Sequence, residues 1–254
     1  MSLCIFCSSP ANSKEDLFPR WILARVKTRE VLSRRIGHGV ANLTEDQEVR
    51  IPCVCNTCNN GWMSRVETKC RPIMGNLLED ISITLDPDYQ KLLAVWALKG
   101  AMIIDAEGNK PRFFRNDECE NFRKTRVIPN GTGIWIGRFT GRSLSAINGG
   151  AGLKTEDGVL LAQFHVFTVV IGHLAMQVLS LHEEPDQTNQ TIELAPIDGK
   201  WEELLIQIWP KVTKKVIWPP SLSLSNYGPF PYGSLVYRWT RKEGHSARSR
   251  SVKP

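Results

Sequence analysis

Two Cys-x-x-Cys pairs, Cys4–Cys7 and Cys55–Cys58, constrain the first quarter of this chain more than any other feature. Such a turn can place two sulfur atoms on one side of the backbone, about 3.5–4 Å apart, which suits one ion with Zn–S bonds of about 2.3 Å. Two turns of this kind predict a closed tetrahedral zinc site that clamps residues 8–54 into a loop. The alternatives are plain buried thiols and a redox-active pair, which more naturally occurs once, near a βαβ pattern.

The cysteine count and the start of the chain indicate a reduced, cytoplasmic protein. The 254 residues, 42% of them hydrophobic, suffice for one large or two small domains. Seven cysteines cannot all pair in disulfides, and the first residues lack the basic and apolar segments of a secretion signal. Cys53, beside the second pair, could compete as a metal ligand, whereas Cys70 and Cys119 are expected to be inert packing residues.

Positive charge is concentrated in two segments. The net charge is +6 and the pI is about 9.0, and the excess lies in residues 20–35 and in the chain end from Arg238. This excess permits nucleic-acid binding without establishing it, because a solvated basic surface has the same composition. Residues 239–254 are predicted to be a basic disordered tail that either contacts phosphates or serves only as a soluble end.

The apolar run from Gly158 to Leu181 needs a test against a membrane span. Polar residues interrupt it, and β-branched residues are concentrated in its middle. We therefore predict two buried strands that turn near Gly172 and His173, and no association with a membrane.

The helices are indicated by caps and by apolar spacing. Asp86-Pro87-Asp88 supplies an acidic cap with proline at the first helical position, which predicts a helix start. Apolar residues follow at helical spacing from Tyr89 to Ile103, so one face should pack on a core. Trp62 and Val66, four residues apart, are expected to form the core face of an earlier helix that begins at the second cysteine pair.

The pattern becomes strand-like after about residue 110, so residues 81–238 are predicted to be an α+β domain with an antiparallel sheet. Residues 1–80 would form a separate zinc-binding module. The predicted elements of the second domain are a strand at Ile134–Phe139, a glycine-rich turn at 141–158, a strand at Thr191–Leu194, an amphipathic helix at Trp201–Trp209 and a last strand at Val216–Trp218.

The segments that follow the two cysteine pairs carry a family resemblance. Glu15-Asp16 precedes Pro19 after the first pair, Asn42-Leu43 lies between the pairs, and the second pair continues directly into Asn59. Over residues 4–70 this order resembles HNH endonucleases of the zinc-knuckle ββα-metal type. In that family an acid followed by histidine stands near a proline, and CxxC-Asn or CxxC-His opens a helix.

The resemblance implies a role for each matching residue. Glu15 would be the acidic ligand of a catalytic Mg²⁺ or Mn²⁺, Asn59 the second ligand, and Asn42 the residue that orients the base or the turn, while the four cysteines hold a structural Zn²⁺. Oxygen ligands suit these hard cations, and phosphodiester hydrolysis needs a cation on the phosphate and a base for water. The alternatives are a solvated acid at Glu15, a helix cap at Asn59 and a turn residue at Asn42.

Asp16 is a departure from the family, because histidine usually occupies this position as the general base. A free aspartate has a pKa of about 3.9 against about 6.5 for histidine, so it is a poorer proton acceptor. Asp16 could act as the base with a pKa raised by burial, serve as a further metal ligand, or mark a module that only binds. His38, between the two cysteine pairs, could replace it as the base or be an ordinary loop histidine.

Basic and acidic residues around this segment complete the predicted site. Arg20, Arg25 and Arg65 are predicted to anchor the phosphates that flank the cleaved bond. Glu67 either reaches the metal site from two turns along the helix or pairs at the surface with Arg65 or Arg71.

These features together predict a metal-dependent endonuclease that hydrolyses phosphodiester bonds, with DNA favoured over RNA as substrate. A role in defence against foreign DNA follows only by analogy with the family. The second domain would select the target or mediate self-association as a homodimer. The alternatives are a catalytically inactive zinc-dependent nucleic-acid-binding protein, which Asp16 favours, and a zinc-stapled protein-interaction scaffold.

Overall fold

The chain combines helices with mainly antiparallel strands, so the predicted α+β class is confirmed. The computed structural model describes residues 2–26, 31–36, 41–44, 49–107, 111–154, 157–183, 192–196, 204–224 and 237–241. Their strands are β1 (Ser13–Asp16), β2 (Val31–Ile36), β3 (Ala41–Thr44), β4 (Arg50–Val54), β5 (Ile83–Leu85), β6 (Thr132–Lys154), β7 (Leu160–Glu183), β8 (Ile192–Pro196), β9 (Ile206–Trp209), β10 (Val216–Trp218) and β11 (Tyr237–Arg241). Their helices are α1 (Arg20–Val26), α2 (Asn56–Cys58), α3 (Ser64–Leu78), α4 (Pro87–Asp105) and α5 (Asn116–Thr125), and a π-helical turn, Asn59–Met63, joins α2 to α3.

A two-stranded ladder and the helix after it carry the N-terminal cysteines. β1 pairs antiparallel with β4, and the chain continues from β4 through α2 into α3. Side chains of a strand alternate between its two faces, so Glu15 is buried whereas Lys14 is exposed and Asp16 is half-buried. β1 and β4 both precede α3 along the chain, and α1, β2 and β3 lie between β1 and β4 in sequence.

Helix α4 begins where the sequence predicts and crosses the middle of the core. The Asp86 carboxylate accepts a hydrogen bond from the Tyr89 backbone N–H at 2.8 Å, and Pro87 occupies the first helical position. Most residues from Leu93 to Asp105 are buried, because α4 packs against α3 and the large sheet. This burial includes Lys99, a charged residue whose partner is described below.

The large sheet has the strand order β3-β2-β6-β7, with β9 also paired to β6. β6 and β7 form a long antiparallel ladder. The hairpin of β2 and β3 joins this sheet through a parallel pairing of β2 with β6. β2 and β3 lie between β1 and β4 in sequence, but they belong to the sheet of the predicted second domain.

Two predicted turns in this region are wrong. The glycine-rich residues 141–158 were expected to form a turn, which is wrong over 141–154 because these residues belong to β6; residues 155 and 156 lie outside the described residues, and Asp157 does lie in a turn. The turn predicted near Gly172 and His173 is wrong because β7 runs through both residues as one strand. The predicted reversal is instead a bulge, where the register shifts between Arg138 and Ser143. Backbone pairing with a neighbouring strand overrides the local turn preference of glycine, because glycine forms ladder hydrogen bonds as well as other residues do.

Predictions for the C-terminal part are mixed. The strands near Thr191–Leu194 and at Val216–Trp218 are confirmed as β8 and β10, although β11 follows them. The helix predicted for Trp201–Trp209 is wrong over Ile206–Trp209, which pairs with β6 as β9; residues 201–203 lie outside the described residues. Of the predicted disordered tail, residues 239–241 belong to β11, paired with β8, and residues 242–254 lie outside the described residues.

One hydrophobic core extends across the predicted boundary near residue 80. It includes Phe6 near the first cysteine pair, Met74 of α3, Met102 of α4, Ile171 of β7 and Trp218 of β10. The division into two domains stays a prediction, and the packing is continuous between its two parts. No helix within the described residues is long and apolar enough to cross a bilayer.

Gly172 permits β7 to approach the end of α3. Its φ is +60°, and a Cβ there would lie 2.6 Å from the Leu78 carbonyl oxygen. We expect Gly172→Ala to lower the free energy of unfolding by about 2–4 kcal/mol, from left-handed strain and overpacking together. The control is Gly158→Ala, where φ is +85° and no atom lies within 4 Å of a Cβ, so that only strain remains. Equal losses in urea unfolding of the two variants would contradict this explanation.

Candidate metal centre

The four cysteines of the two Cys-x-x-Cys pairs converge in the structure. The sulfur atoms of Cys4, Cys7, Cys55 and Cys58 all lie within 4.8 Å of one another, and those of Cys7 and Cys55 are 3.5 Å apart. Four sulfurs around one zinc, with bonds of about 2.3 Å, would be separated by about 3.8 Å. The set therefore has the size and the donor chemistry that a zinc ion requires.

Short backbone turns hold each pair in place. In the first turn the Ser8 N–H donates to the Cys4 carbonyl at 2.9 Å, and Ser8 has a φ of 58°. In the second, Cys55 caps α2, and its sulfur accepts a hydrogen bond from the Cys58 N–H at 3.4 Å. A backbone bond from the Ile5 N–H to the Cys53 carbonyl, at 3.0 Å, fixes the first turn beside the end of β4.

The thiols of the cluster differ in their acidity. Burial raises the pKa of Cys4 and of Cys58 above the usual thiol range. Burial acts in the same direction on Cys7, but hydrogen bonds from Ser9, Cys55 and Cys58 outweigh it and lower the pKa of Cys7 to about 6. A divalent metal ion that binds the four sulfurs would displace the thiol protons and balance the negative charge of the resulting thiolates.

The other three cysteines are separate from this group. Within the described residues the four-cysteine group does not include Cys53, which is buried on β4. Burial raises the pKa of Cys53, Cys70 and Cys119 to about 12 in each case. Neutral, buried thiols agree with the interpretation of Cys70 and Cys119 as packing residues.

Glu15 forms a buried ion pair with Lys99. The Lys99 ammonium donates to Glu15 Oε1 at 2.6 Å, and the two residues are only 3% and 5% exposed. Burial raises the pKa of Glu15, Lys99 opposes this effect, and the negative charges of Glu67 and Asp16 add to it. The first of the two predicted catalytic carboxylates therefore already has a cationic partner inside the core.

Asp16 lies on the other face of β1 from Glu15. Its carboxylate is bound by the Arg50 guanidinium, with Nε 3.0 Å from Oδ1, and its side chain is 32% exposed. Arg50 lies on β4, directly opposite Asp16 in the ladder. The two adjacent acids are thus oriented apart by the alternation of the strand.

Asn59 connects the start of the long helix to β1. Its side-chain amide donates to Ser13 Oγ at 2.9 Å and to the Lys14 carbonyl at 3.1 Å. The amide therefore lies next to the strand that carries Glu15, as the family resemblance implies. Asn42 lies in β3, with its backbone opposite Ser33; its side chain and the whole of His38 lie outside the described residues.

Two residues of this region have partners that the sequence pattern did not indicate. Glu67 was expected near the metal site or in a surface pair with Arg65 or Arg71, but it accepts a hydrogen bond from the Trp21 indole N–H at 2.7 Å. The sequence pattern assigns no role to Lys99. The one available signal was a lysine between Trp96 and Ile103 on an otherwise apolar helix, where charge is normally absent unless it is paired.

The predicted phosphate anchors occupy different environments. Arg20 is exposed at the start of α1 and Arg65 is exposed on α3. Arg25 forms an ion pair with Glu79, with Nη1 2.7 Å from Oε1. Trp62, in the π-helical turn before α3, is buried as predicted, with the rings of Phe6 and Phe122 set edge-on at 4.9 Å and 5.8 Å.

Comparisons of this chain with protein-family models, with curated proteins and with solved structures found no match.

Proposed function

We propose that this protein is a metal-dependent nuclease whose ββα arrangement is stabilised by a structural zinc ion. The observation that carries the proposal is the attachment of Asn59 to β1. This contact brings a helix-start amide next to the strand of Glu15, beside four converging sulfur atoms. Acid, amide and cysteine cluster stand in the order that HNH endonucleases share.

The four cysteines would hold the zinc ion. Sulfur would occupy all four positions of a tetrahedral site, so none would remain for water or substrate, and this identifies the role as structural. The ion would fix the turn before β1 to the helix start after β4. The positions of Glu15 and Asn59 relative to each other would depend on this connection.

Glu15 and Asn59 would hold a Mg²⁺ or Mn²⁺ ion, which supplies polarisation of the phosphate and stabilisation of the leaving oxygen. The hydrogen bonds within the described residues use Oε1 of Glu15 and the amide nitrogen of Asn59. Oε2 of Glu15 and Oδ1 of Asn59 take part in none of them. Two such oxygens fit Mg²⁺, which usually takes one or two protein carboxylates and keeps several waters.

A second candidate function, nucleic-acid binding without cleavage, is favoured by the ion pairs of the two acids. Lys99 neutralises Glu15, and Arg50 neutralises Asp16. In the nuclease Asp16 would accept the proton of the attacking water from its half-exposed position; in the binding protein this pair would only brace the ladder.

We expect Mg²⁺- or Mn²⁺-dependent nicking of supercoiled plasmid by the wild-type protein, and a loss of about 10²-fold or more in Asp16→Asn, since general acid–base groups contribute that much. Asp16→Asn retains shape at a half-exposed site, so its zinc content and melting curve should match the wild type. Asn59→Ala should also lose nicking. The control is Asp157→Asn between β6 and β7, an exposed acid outside the site.

The outcomes of this assay separate the two candidate functions. Nicking by the wild type that persists in both Asp16→Asn and Asn59→Ala would contradict the assignment of these residues. Binding of DNA or RNA by gel shift without nicking under either metal would support the second candidate.

A further inference from the structure

We infer that Arg65 of α3 and Arg123 of α5, braced by Arg126, form a docking surface for the phosphate backbone of a nucleic acid strand. This inference rests on the proposed nucleic-acid substrate and adds residues from beyond the segment that resembles HNH endonucleases. We call these three residues the arginine cluster. α5 lies after residue 80, so the surface would be shared by both predicted domains.

Arg126 is the fixed centre of the cluster. Its guanidinium carbon lies 4.2 Å from the centre of the Trp62 ring, which is a cation–π stack. The residue ends α5 in the left-handed conformation, with φ of 62°. Its Nη1 donates to the Phe122 carbonyl at 3.0 Å and also to the Arg123 carbonyl.

Arg65 and Arg123 lie beside this centre. Arg65 follows the stacked Trp62 by one helical turn, and Arg123 precedes Arg126 by one turn. Burial lowers the pKa of Arg126, and the charges of Arg65 and Arg123 lower it further. Such an effect is expected when like charges are brought together, and it agrees with the geometry.

Acidic groups do not neutralise the cluster. Glu120 is bound to Lys124 at 2.8 Å and reaches Arg123 only at 3.9 Å. Within the described residues Arg65 has no ion pair. Arg65 therefore keeps its charge for an external anion, and Arg123 shares its charge only with a carboxylate that Lys124 already binds.

Phosphodiester is the anion that fits best. Guanidinium groups bind phosphate oxygens through two parallel hydrogen bonds, and two of them on different helices can grip successive phosphates. Arg65 follows Asn59 by six residues, across the π-helical turn and into the first turn of α3. The cluster would therefore hold the strand next to the bond that is cleaved.

The test is the salt dependence of DNA binding by the full-length, zinc-loaded protein. Fluorescence anisotropy of a labelled 20-base-pair duplex, without added Mg²⁺ or Mn²⁺, gives the affinity across a series of KCl concentrations. Each lost phosphate contact reduces the slope of log affinity against log salt by about 0.9. We expect Arg65→Gln with Arg123→Gln to reduce the slope by about 1.8 and to weaken binding on the order of tenfold.

The control removes the same charge elsewhere. Lys211→Gln with Lys214→Gln changes two exposed lysines between β9 and β10, and the slope should stay at the wild-type value. Arg126 is not substituted, because it packs on Trp62. The inference is overturned if the arginine double variant keeps the wild-type slope, if it loses no more than the lysine control, or if it weakens binding only to phosphatidylserine vesicles and not to DNA.

Plasmid nicking by the same proteins separates this inference from the nuclease proposal. If the arginine double variant has a reduced slope and the wild type does not nick DNA, the arginine cluster is supported and the nuclease proposal is contradicted. If the wild type nicks DNA and the arginine double variant keeps the wild-type slope, the nuclease proposal is supported and the arginine cluster is contradicted.

Discussion

The double variant with Cys55→Ser and Cys58→Ser is expected to lose zinc binding, and β1, β4 and α3 are expected to unfold. Apparent binding free energies of structural zinc sites are about 10–16 kcal/mol at neutral pH, which equals or exceeds the total stability of most domains, about 5–15 kcal/mol. The ladder of β1 and β4 is short, and Cys55 and Cys58 connect it to α3 through α2. Core residues such as Phe6 and Met74 also stabilise this part of the chain, but the loss of the zinc contribution alone is as large as the stability of a typical domain.

The measurements are zinc content by elemental analysis, urea unfolding, and hydrogen exchange of β1, β4 and α3. The matched control is Cys53→Ser with Cys119→Ser, which also replaces two buried thiols. The control should keep one zinc per chain and lose about 1–3 kcal/mol for each buried hydroxyl left without a partner. Equal stability and equal exchange in the two double variants would show that the cluster binds no metal of structural importance.

Lys99→Met is expected to have the second largest effect, because it leaves Glu15 charged in the core without its partner. Breaking a buried ion pair from one side typically costs about 3–5 kcal/mol. The pKa of Glu15 is already raised by burial, and Lys99 is the largest effect that lowers it. Without the ammonium, the pKa of Glu15 in the folded protein should rise further.

The sign of the pH dependence follows from this raised pKa. A carboxyl that binds its proton more tightly in the folded state adds stability below its unfolded pKa of about 4.3, and this stability is lost as pH rises through the folded pKa. The deficit of Lys99→Met relative to the wild type should therefore grow in urea unfolding as pH rises through the folded-state pKa of Glu15. Adding Glu15→Gln to Lys99→Met should make the deficit independent of pH and restore most of the lost free energy of unfolding.

The control for this pair is Lys91→Met, which changes an exposed lysine of the same helix and should stay within about 0.5 kcal/mol of the wild type. A deficit of Lys99→Met as small as that of Lys91→Met would mean that the ion pair contributes nothing. A deficit that shrinks with rising pH would mean that Glu15 is not the group left behind.

Local sequence signals predicted the elements that depend on local chemistry. The cysteine spacing predicted the cluster because two tight turns fix their own sulfur positions. Asp86 and Pro87 predicted the start of α4 because capping and the first-turn proline act within four residues. The convergence of the two pairs on each other required β1 to pair with β4, which the ββα resemblance implied.

Long-range pairing explains the failures. Residues 141–154 contain glycines typical of a turn, but they belong to β6 and pair with β7 and β2, so the ladder determines their conformation. Ile206–Trp209 has apolar residues compatible with either period, and its partner in β6 decides for a strand. Four-residue segments carry too little periodicity to separate the two structures.

The sequence predicts where the candidate site lies, but it does not predict which residues form ion pairs and hydrogen bonds with the site. Glu15 and Asn59 were chosen from their order along the chain, and β1 does lie against the helix start. Lys99 comes from a helix 84 residues later, so no spacing rule near Glu15 could have indicated it. The Trp21–Glu67 bond and the Trp62–Arg126 stack have the same origin, since each connects segments brought together only by the core.

The most direct test of the central claim is X-ray absorption at the zinc edge of the purified wild-type protein. The account predicts one zinc per chain with four sulfur neighbours at about 2.3 Å and no nitrogen or oxygen in the first shell. Absence of zinc, or a shell in which oxygen or nitrogen replaces sulfur, would contradict it.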